Sequence, residues 1–314
     1  MSEPQKEPDW ERKVLEKLAL SAIQEQRRSR HWSILFKTLG FLYLFIVLFL
    51  AAGWFRSDGV IPKAHTALVD LQGTIASDQT SADAIIASLQ GAFEDSKTKG
   101  VVLRINSPGG SPVQAGQIYD EVKRLRKLHP TIPLYVVVDD ICASGGYYVA
   151  ASADRIFVDK ASLIGSIGVL MDGFGFTETM KKLGVERRLL TAGENKGFLD
   201  PFSPTNAEQQ VYAKRLLEEI HGQFIGAVRA GRGARLKDSP ELFSGLVWSG
   251  EKSIELGLAD AYGSVESVAR DVIKAEDVVD YTQRESFAER LAGRLGTSIA
   301  SALAPFEKAG VSLR

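Results

Sequence analysis

Val136 to Ala151 reads VVVDDICASGGYYVAA. An apolar, β-branched run ends in Asp139 and Asp140, small residues lead to Ser144, and Gly145 and Gly146 open an apolar, helix-prone segment. That order predicts a buried strand turning sharply into a helix. A serine at such a corner projects its hydroxyl from the sheet edge, and the glycines let another chain come close. The N–H groups that begin the following helix stabilise negative charge. The stretch can therefore hold a nucleophile beside an oxyanion site. Taken alone it is better read as a tight glycine turn with a capping serine, so the rest of the chain has to decide.

Working outward, the same strand–helix rhythm continues in both directions. Upstream lie a strand at Ala67–Val69, a helix at Ser81–Phe93 with a Ser/Asp start, and a strand at Val101–Ile105. The loop Asn106–Ser111 follows, then a helix over Val113–Leu128 that ends before Pro130, and a strand over Leu134–Val138. Downstream, strands are predicted at Arg155–Val158, Ser166–Leu170 and Arg187–Thr191, and a long helix at Ala207–Ala230. Glu251–Leu256 reads as a helix before Gly257, and Asp260–Val265 as a strand entering one last helix. The alternation argues for an α/β fold with a mostly parallel sheet and flanking helices.

Two further loops carry chemistry. Ser107-Pro108-Gly109-Gly110-Ser111 follows a buried strand, and its paired glycines would leave backbone N–H groups facing a substrate. Gly193-Glu194-Asn195-Lys196-Gly197 carries a lysine. A lone loop lysine is nearly always a solvated charge, but the chain has only four histidines, and a serine nucleophile needs a base. Lysine takes that part when burial or a positive neighbour strips its proton, and it then needs a hydrogen-bond partner to aim it. Ser166, in Ile164-Gly165-Ser166-Ile167-Gly168, is placed to do so by its position after a strand-like run, although it too reads as a small residue in a glycine turn.

Composition narrows the function from the other side. The 314 residues are 45% hydrophobic and 25% charged with a net charge of -1, so no basic excess exists to neutralise nucleic-acid phosphates. The single cysteine, Cys142, excludes an intrachain disulfide, and the histidines have no metal-ligand spacing. Residues 1–33 are mostly polar, with an apolar stripe through Trp10, Val14, Leu18 and Ile23, and read as a solvated cytoplasmic helix. Residues 34–55 form an apolar run long enough to span a bilayer, interrupted only by Lys37, which can snorkel. Arg27, Arg28 and Arg30 before it place the N-terminus in the cytoplasm, and the thirty-residue polar lead favours an uncleaved anchor over a signal peptide. Residues 56–64 read as a linker, 65–275 as the main domain, and 276–314 as a tail. Phe287, Leu291, Leu295, Ile299 and Leu303 give that tail helical spacing.

The ordered set Ile105-Asn106-Ser107-Pro108-Gly109-Gly110, Ala143-Ser144-Gly145-Gly146-Tyr147-Tyr148, Ile164-Gly165-Ser166-Ile167-Gly168-Val169 and the Lys196 loop resembles the signal peptide peptidase A family, in its short, membrane-anchored form. The resemblance covers about residues 65–270 and implies a Clp protease/crotonase-like fold. It makes Ser144 the nucleophile, Lys196 the general base and Ser166 the serine that orients the lysine. Backbone N–H groups of Gly109 or Gly110, with that of Gly145, would form the oxyanion hole. It implies no metal or organic cofactor.

The expectation is a serine endopeptidase of the cytoplasmic membrane, its catalytic domain on the periplasmic or extracytoplasmic side, degrading remnant signal peptides. The resemblance further implies a ring-shaped homo-oligomer, in which Lys196 serves its own chain's serine or a neighbour's. Rival readings are a peptidase for specific membrane-protein partners, such as stomatin-like proteins, and a non-catalytic membrane scaffold. Crotonase-type acyl-CoA chemistry is disfavoured by the anchor and by the Ser/Lys pair.

Overall fold

The computed structural model describes residues 10–51, 64–237 and 239–283. The C-terminal stripe through Phe287 and Leu303, and most of the 56–64 linker, lie outside the described residues. Two units compose the chain. In the first, α1 (Trp10–Ala51) is one uninterrupted helix of 42 residues, about 63 Å long at 1.5 Å per residue. The sequence suggested a separate polar helix before the span; with no proline or glycine between Trp10 and Gly40, nothing breaks the turn between them. Within α1, Lys13–Phe49 is long and apolar enough to cross a membrane by length and composition.

The second unit is built on an eight-stranded sheet. Its strands are β1 (His65–Gln72), β2 (Thr98–Ser107), β3 (Leu134–Ala143), β4 (Arg155–Val158), β5 (Leu163–Gly165), β6 (Val247–Ser249), β7 (Ala261–Tyr262) and β8 (Val278–Asp280). The order is β6-β5-β3-β2-β1-β8, with β4 on β3 and β7 on β4. Only the β5–β6 pair is antiparallel. The helices are α2 (Ala82–Glu94), α3 (Pro112–Leu128), α4 (Gly145–Ala150), α5 (Thr177–Lys182), α6 (Ala207–Arg232), α7 (Gly250–Glu255) and α8 (Val265–Ser267), which continues as a π-helical turn.

Local sequence accounts for much of this. Ser81 and Ser111 cap α2 and α3 through their side chains, and the Asn206 carboxamide accepts from two amides at the start of α6. Strand residues alternate between two cores. Ala67, Val69, Leu71, Leu103 and Ile105 belong to the large one, while Leu68, Val102, Val137 and Phe157 meet Val265 and Val268 on the other face. A sheet covered on both sides explains why its strands read as continuous apolar runs.

β3 has two partners in succession: Tyr135–Val137 pair with β4, and Ile141–Ala143 pair with β5. The switch, at Asp139 and Asp140, carries the last residues of β3 to the sheet's C-terminal edge beside β5. Two expected strands are absent. β5 stops at Gly165 because Ser166, at φ 49°, turns the chain away from the ladder. Residues 187–191 are exposed and have no strand partner among the described residues.

Candidate active site

β3 ends at Ala143, which pairs with Gly165, and Ser144 occupies the corner before α4 at φ 50° and ψ -123°. A non-glycine residue persists in such a conformation only where its surroundings hold it. Here the Ser144 amide donates to the Gly165 carbonyl at 2.8 Å, and the Ser144 carbonyl accepts from Tyr148 N at 2.9 Å. The Ser144 hydroxyl makes no capping bond. On the far side of α4, buried Tyr147 donates its hydroxyl to the Leu258 carbonyl at 2.8 Å. Burial pushes the Tyr147 phenol and the Cys142 thiol well up, so both stay neutral and fill the core behind the serine.

The glycine loop reaches the same corner from β2. Ile75 N donates to Gly109 O and Ser111 N to Ile75 O, each at 2.8 Å, so Gly110 lies between the two bonds with its own N–H outside the bridge. A side chain on Gly110 would run into the Ile75 carbonyl, and one on Gly109 would come 2.7 Å from Ser144 Cβ. Both residues also adopt positive φ, 106° and 146°. The two amides differ in fate. Gly109 N–H donates to Ser107 Oγ at 3.1 Å, whereas the Gly110 and Gly145 N–H groups have no partner among the described residues. The Cβ position of Gly145 lies 3.3 Å from Gly110 N. Two free donors therefore sit side by side next to the serine.

Ser166 forms a second strained corner. Its N–H donates to Leu246 O at 2.7 Å, and its carbonyl accepts from Gly168 N at 2.9 Å. From α6, His221 Nε2 donates to the Ile167 carbonyl at 3.0 Å. Sequence reading passed over this histidine, because only the fold brings it to the corner.

Ser144, Ser166, Gly110 and Gly145 line one cavity of about 460 Å³. Its other walls include Pro112, Tyr148, Val169, Leu170, Ile220 and Phe224. Tyr148 packs between Tyr119 and Phe224, with ring centroids 5.4 and 5.0 Å apart, which makes a stiff aromatic floor. Burial, with a smaller push from Asp120, raises the Tyr148 phenol above its ordinary range, so the floor is uncharged. In the sequence, Val169 and Leu170 were read as part of a strand and Tyr148, Ile220 and Phe224 as parts of helices, none of them at a site. The cavity suits an extended apolar chain whose carbonyl reaches the serine and the paired amides.

Lys196 stands apart from these residues. It lies in a turn closed by Lys196 N to Gly193 O, Phe198 N to Asn195 O and Asp200 N to Gly197 O. The turn is braced by the Arg187–Asp200 ion pair at 3.4 Å and by the edge-on contact of Phe198 with Tyr212 on α6. The Lys196 side chain is exposed and is not among the residues lining the cavity. The segment that carries it also exposes Leu190 (96%), Leu170 (80%) and Phe174 (78%).

With this geometry in hand, comparison with known proteins is informative. Residues 126–279 match the model of peptidase family S49, and residues 64–163 that of Clp protease. The chain is 47% identical over 182 residues to a Brucella abortus protein named Na(+)/H(+) antiporter NhaA, which is 58% of this chain but only 25% of that one. It is 30% identical to the putative signal peptide peptidase SppA of Enterococcus faecium, covering 63% of this chain and 57% of the relative. It is also 30% identical to a putative protease of Synechocystis, covering 65% of this chain and 72% of the relative. The chain thus spans a quarter of the antiporter relative and nearly three quarters of the cyanobacterial one. By motif order, fold and similarity, the chain belongs to peptidase family S49, of the signal peptide peptidase A type.

Proposed function

We propose that the protein is a membrane-anchored serine endopeptidase that degrades remnant signal peptides after export. The observation that carries this reading is the convergence of Ser144, Ser166 and the unpartnered Gly110 and Gly145 amides on one apolar cavity. In the proposed reaction Ser144 Oγ attacks the scissile carbonyl while the neutral Lys196 amine takes its proton. The oxygen, now negative, accepts from Gly110 and Gly145 N–H, which are already in place and need not reorganise. Collapse breaks the C–N bond, Lys196 returns the proton to the leaving amine, and water then releases the acyl-enzyme by the same route. Ser166 holds the amine in line.

A lysine acts as a base only when burial or a positive neighbour favours its neutral form. Lys196 is exposed and away from its own chain's cavity, so a second copy seated on the apolar Leu170–Leu190 face would supply the cover. This favours a ring-shaped oligomer in which Lys196 serves a neighbour's Ser144. The apolar walls favour small or apolar residues, as found in signal peptides. Arg27, Arg28 and Arg30 before the span support a cytoplasmic N-terminus and a catalytic domain outside the cytoplasmic membrane.

Fluorophosphonate labelling of the membrane-inserted protein tests the core of the reading. Wild type should be labelled and Ser144→Ala should not. Equal labelling of both would remove Ser144 as the nucleophile. Protease protection in sealed vesicles tests topology, and a domain found on the cytoplasmic side would overturn it.

A further inference from the structure

We infer that His221 is the positioning residue of the Ser166 corner, which sets where the proposed base is aimed. The inference rests on the reading of Ser166 given above. His221 sits on α6 beside Ile220, which lines the cavity, but is not itself among the lining residues, and its ring bonds the corner. Its Nε2 lies 3.0 Å from the Ile167 carbonyl. A carbonyl only accepts, so Nε2 carries the proton and is committed to this bond. Only Nδ1 then keeps a lone pair, and His221 is not among the residues that line the cavity with Ser144.

The bond acts on one peptide plane. The Ile167 C=O end is held by His221, and the Gly168 N–H end by the Ser166 carbonyl at 2.9 Å. With both ends held, the plane cannot flip. Ser166, at φ 49°, is thereby kept in a conformation that it would otherwise leave. Leu246 O holds the Ser166 amide from the other side at 2.7 Å. Of these holds, His221 is the one made by a side chain and hence the one a substitution can remove. α6 also carries Phe224 of the cavity floor, so a single rigid helix sets both the floor and the corner.

The test uses the full-length protein in detergent or vesicles, with hydrolysis of an apolar peptide followed for wild type, His221→Leu and His221→Gln. Leucine fills the space without a donor, whereas glutamine keeps an N–H donor. Positioning predicts that His221→Leu lowers kcat about tenfold, the effect of one well-placed hydrogen bond, with KM within about twofold. His221→Gln should recover most of kcat and keep the shape of the pH–rate profile. A wild-type kcat in His221→Leu, or a rise in KM alone, overturns the proposal. So does a His221→Gln variant as inactive as His221→Leu that has lost one limb of the profile, since that would make His221 the base. If His221→Leu does not fold, as judged by melting, His221→Asn replaces it, being too short to reach Ile167. Ser144→Ala is assayed in parallel: persistent hydrolysis there sinks the reading of the site itself, whatever His221 does.

Discussion

The Ser144 amide donates to the Gly165 carbonyl at 2.8 Å, so the two strained serine corners form one unit. Ser144 at φ 50° and Ser166 at φ 49° are held through neighbouring residues of paired strands, and neither can relax without disturbing the other. Strain of this kind is maintained by the packed sheet around it, and it places both serines on the lining of the same cavity.

Gly110→Ala should cut peptide hydrolysis by about two orders of magnitude, the usual effect of losing one oxyanion donor. The added methyl runs into the Ile75 carbonyl and displaces the amide proposed for the oxyanion hole. Steady-state kinetics, with circular dichroism to confirm folding, measures this. A folded variant with wild-type kcat would show that Gly110 N–H does not stabilise the oxyanion.

Ser144→Ala and Lys196→Ala should each be inactive alone, yet regain hydrolysis when mixed and reassembled. The mixed ring would place an intact Lys196 from one chain against an intact Ser144 from another. Mixtures that stay inactive, in assemblies shown to contain both chains, would argue that the lysine acts within its own chain.

The cavity floor should set substrate size. Phe224→Leu shortens the aromatic stack with Tyr148 and opens space beside Ser144. The ratio of kcat/KM for a peptide with a bulky aromatic residue before the scissile bond, against one with alanine there, should rise about tenfold. Product masses from a mixed peptide library would report the same shift. An unchanged ratio would mean that this floor does not contact the side chain before the cut.

Acid should weaken the domain through Asp260. Burial works against its charge, but Arg232 bonds it at 2.7 and 3.0 Å, Ile156 N adds a third bond, and its pKa is held below the ordinary value of 3.8. The ion pair therefore contributes fully above pH 3.8, and that contribution is lost as pH falls from there through the lower folded-state value. Arg232 is almost wholly buried and also bonds Gly257 O, in the turn that receives the Tyr147 hydroxyl through Leu258. Asp260→Asn should cost about 3–5 kcal/mol at neutral pH, because it strands a buried guanidinium. Urea titration at neutral pH and near pH 3 reads both effects. A variant as stable as wild type at neutral pH would refute the role given to this pair.

The sequence by itself determined the α/β class, the long apolar helix near the N-terminus, the capped start of α2, and the Ser144 and Gly109-Gly110 loops. Those features obey local rules: β-branched runs make strands, caps sit within three residues of what they cap, and paired glycines mark tight corners. Tertiary structure decided which groups are free to act. Gly109 and Gly110 are indistinguishable as letters, yet one amide is taken by Ser107 Oγ and the other, held between two bonds to Ile75, is left open. Ser166 was expected within a strand, and its left-handed turn depends on Leu246 and His221, which are distant in the chain. Tyr148 and Phe224 meet at the cavity only because α4 packs on α6. Lys196 lies outside its own chain's cavity, a fact that no spacing could convey. Hydrogen-bond commitments and cavity walls are made between residues far apart in sequence, so only packing assigns them.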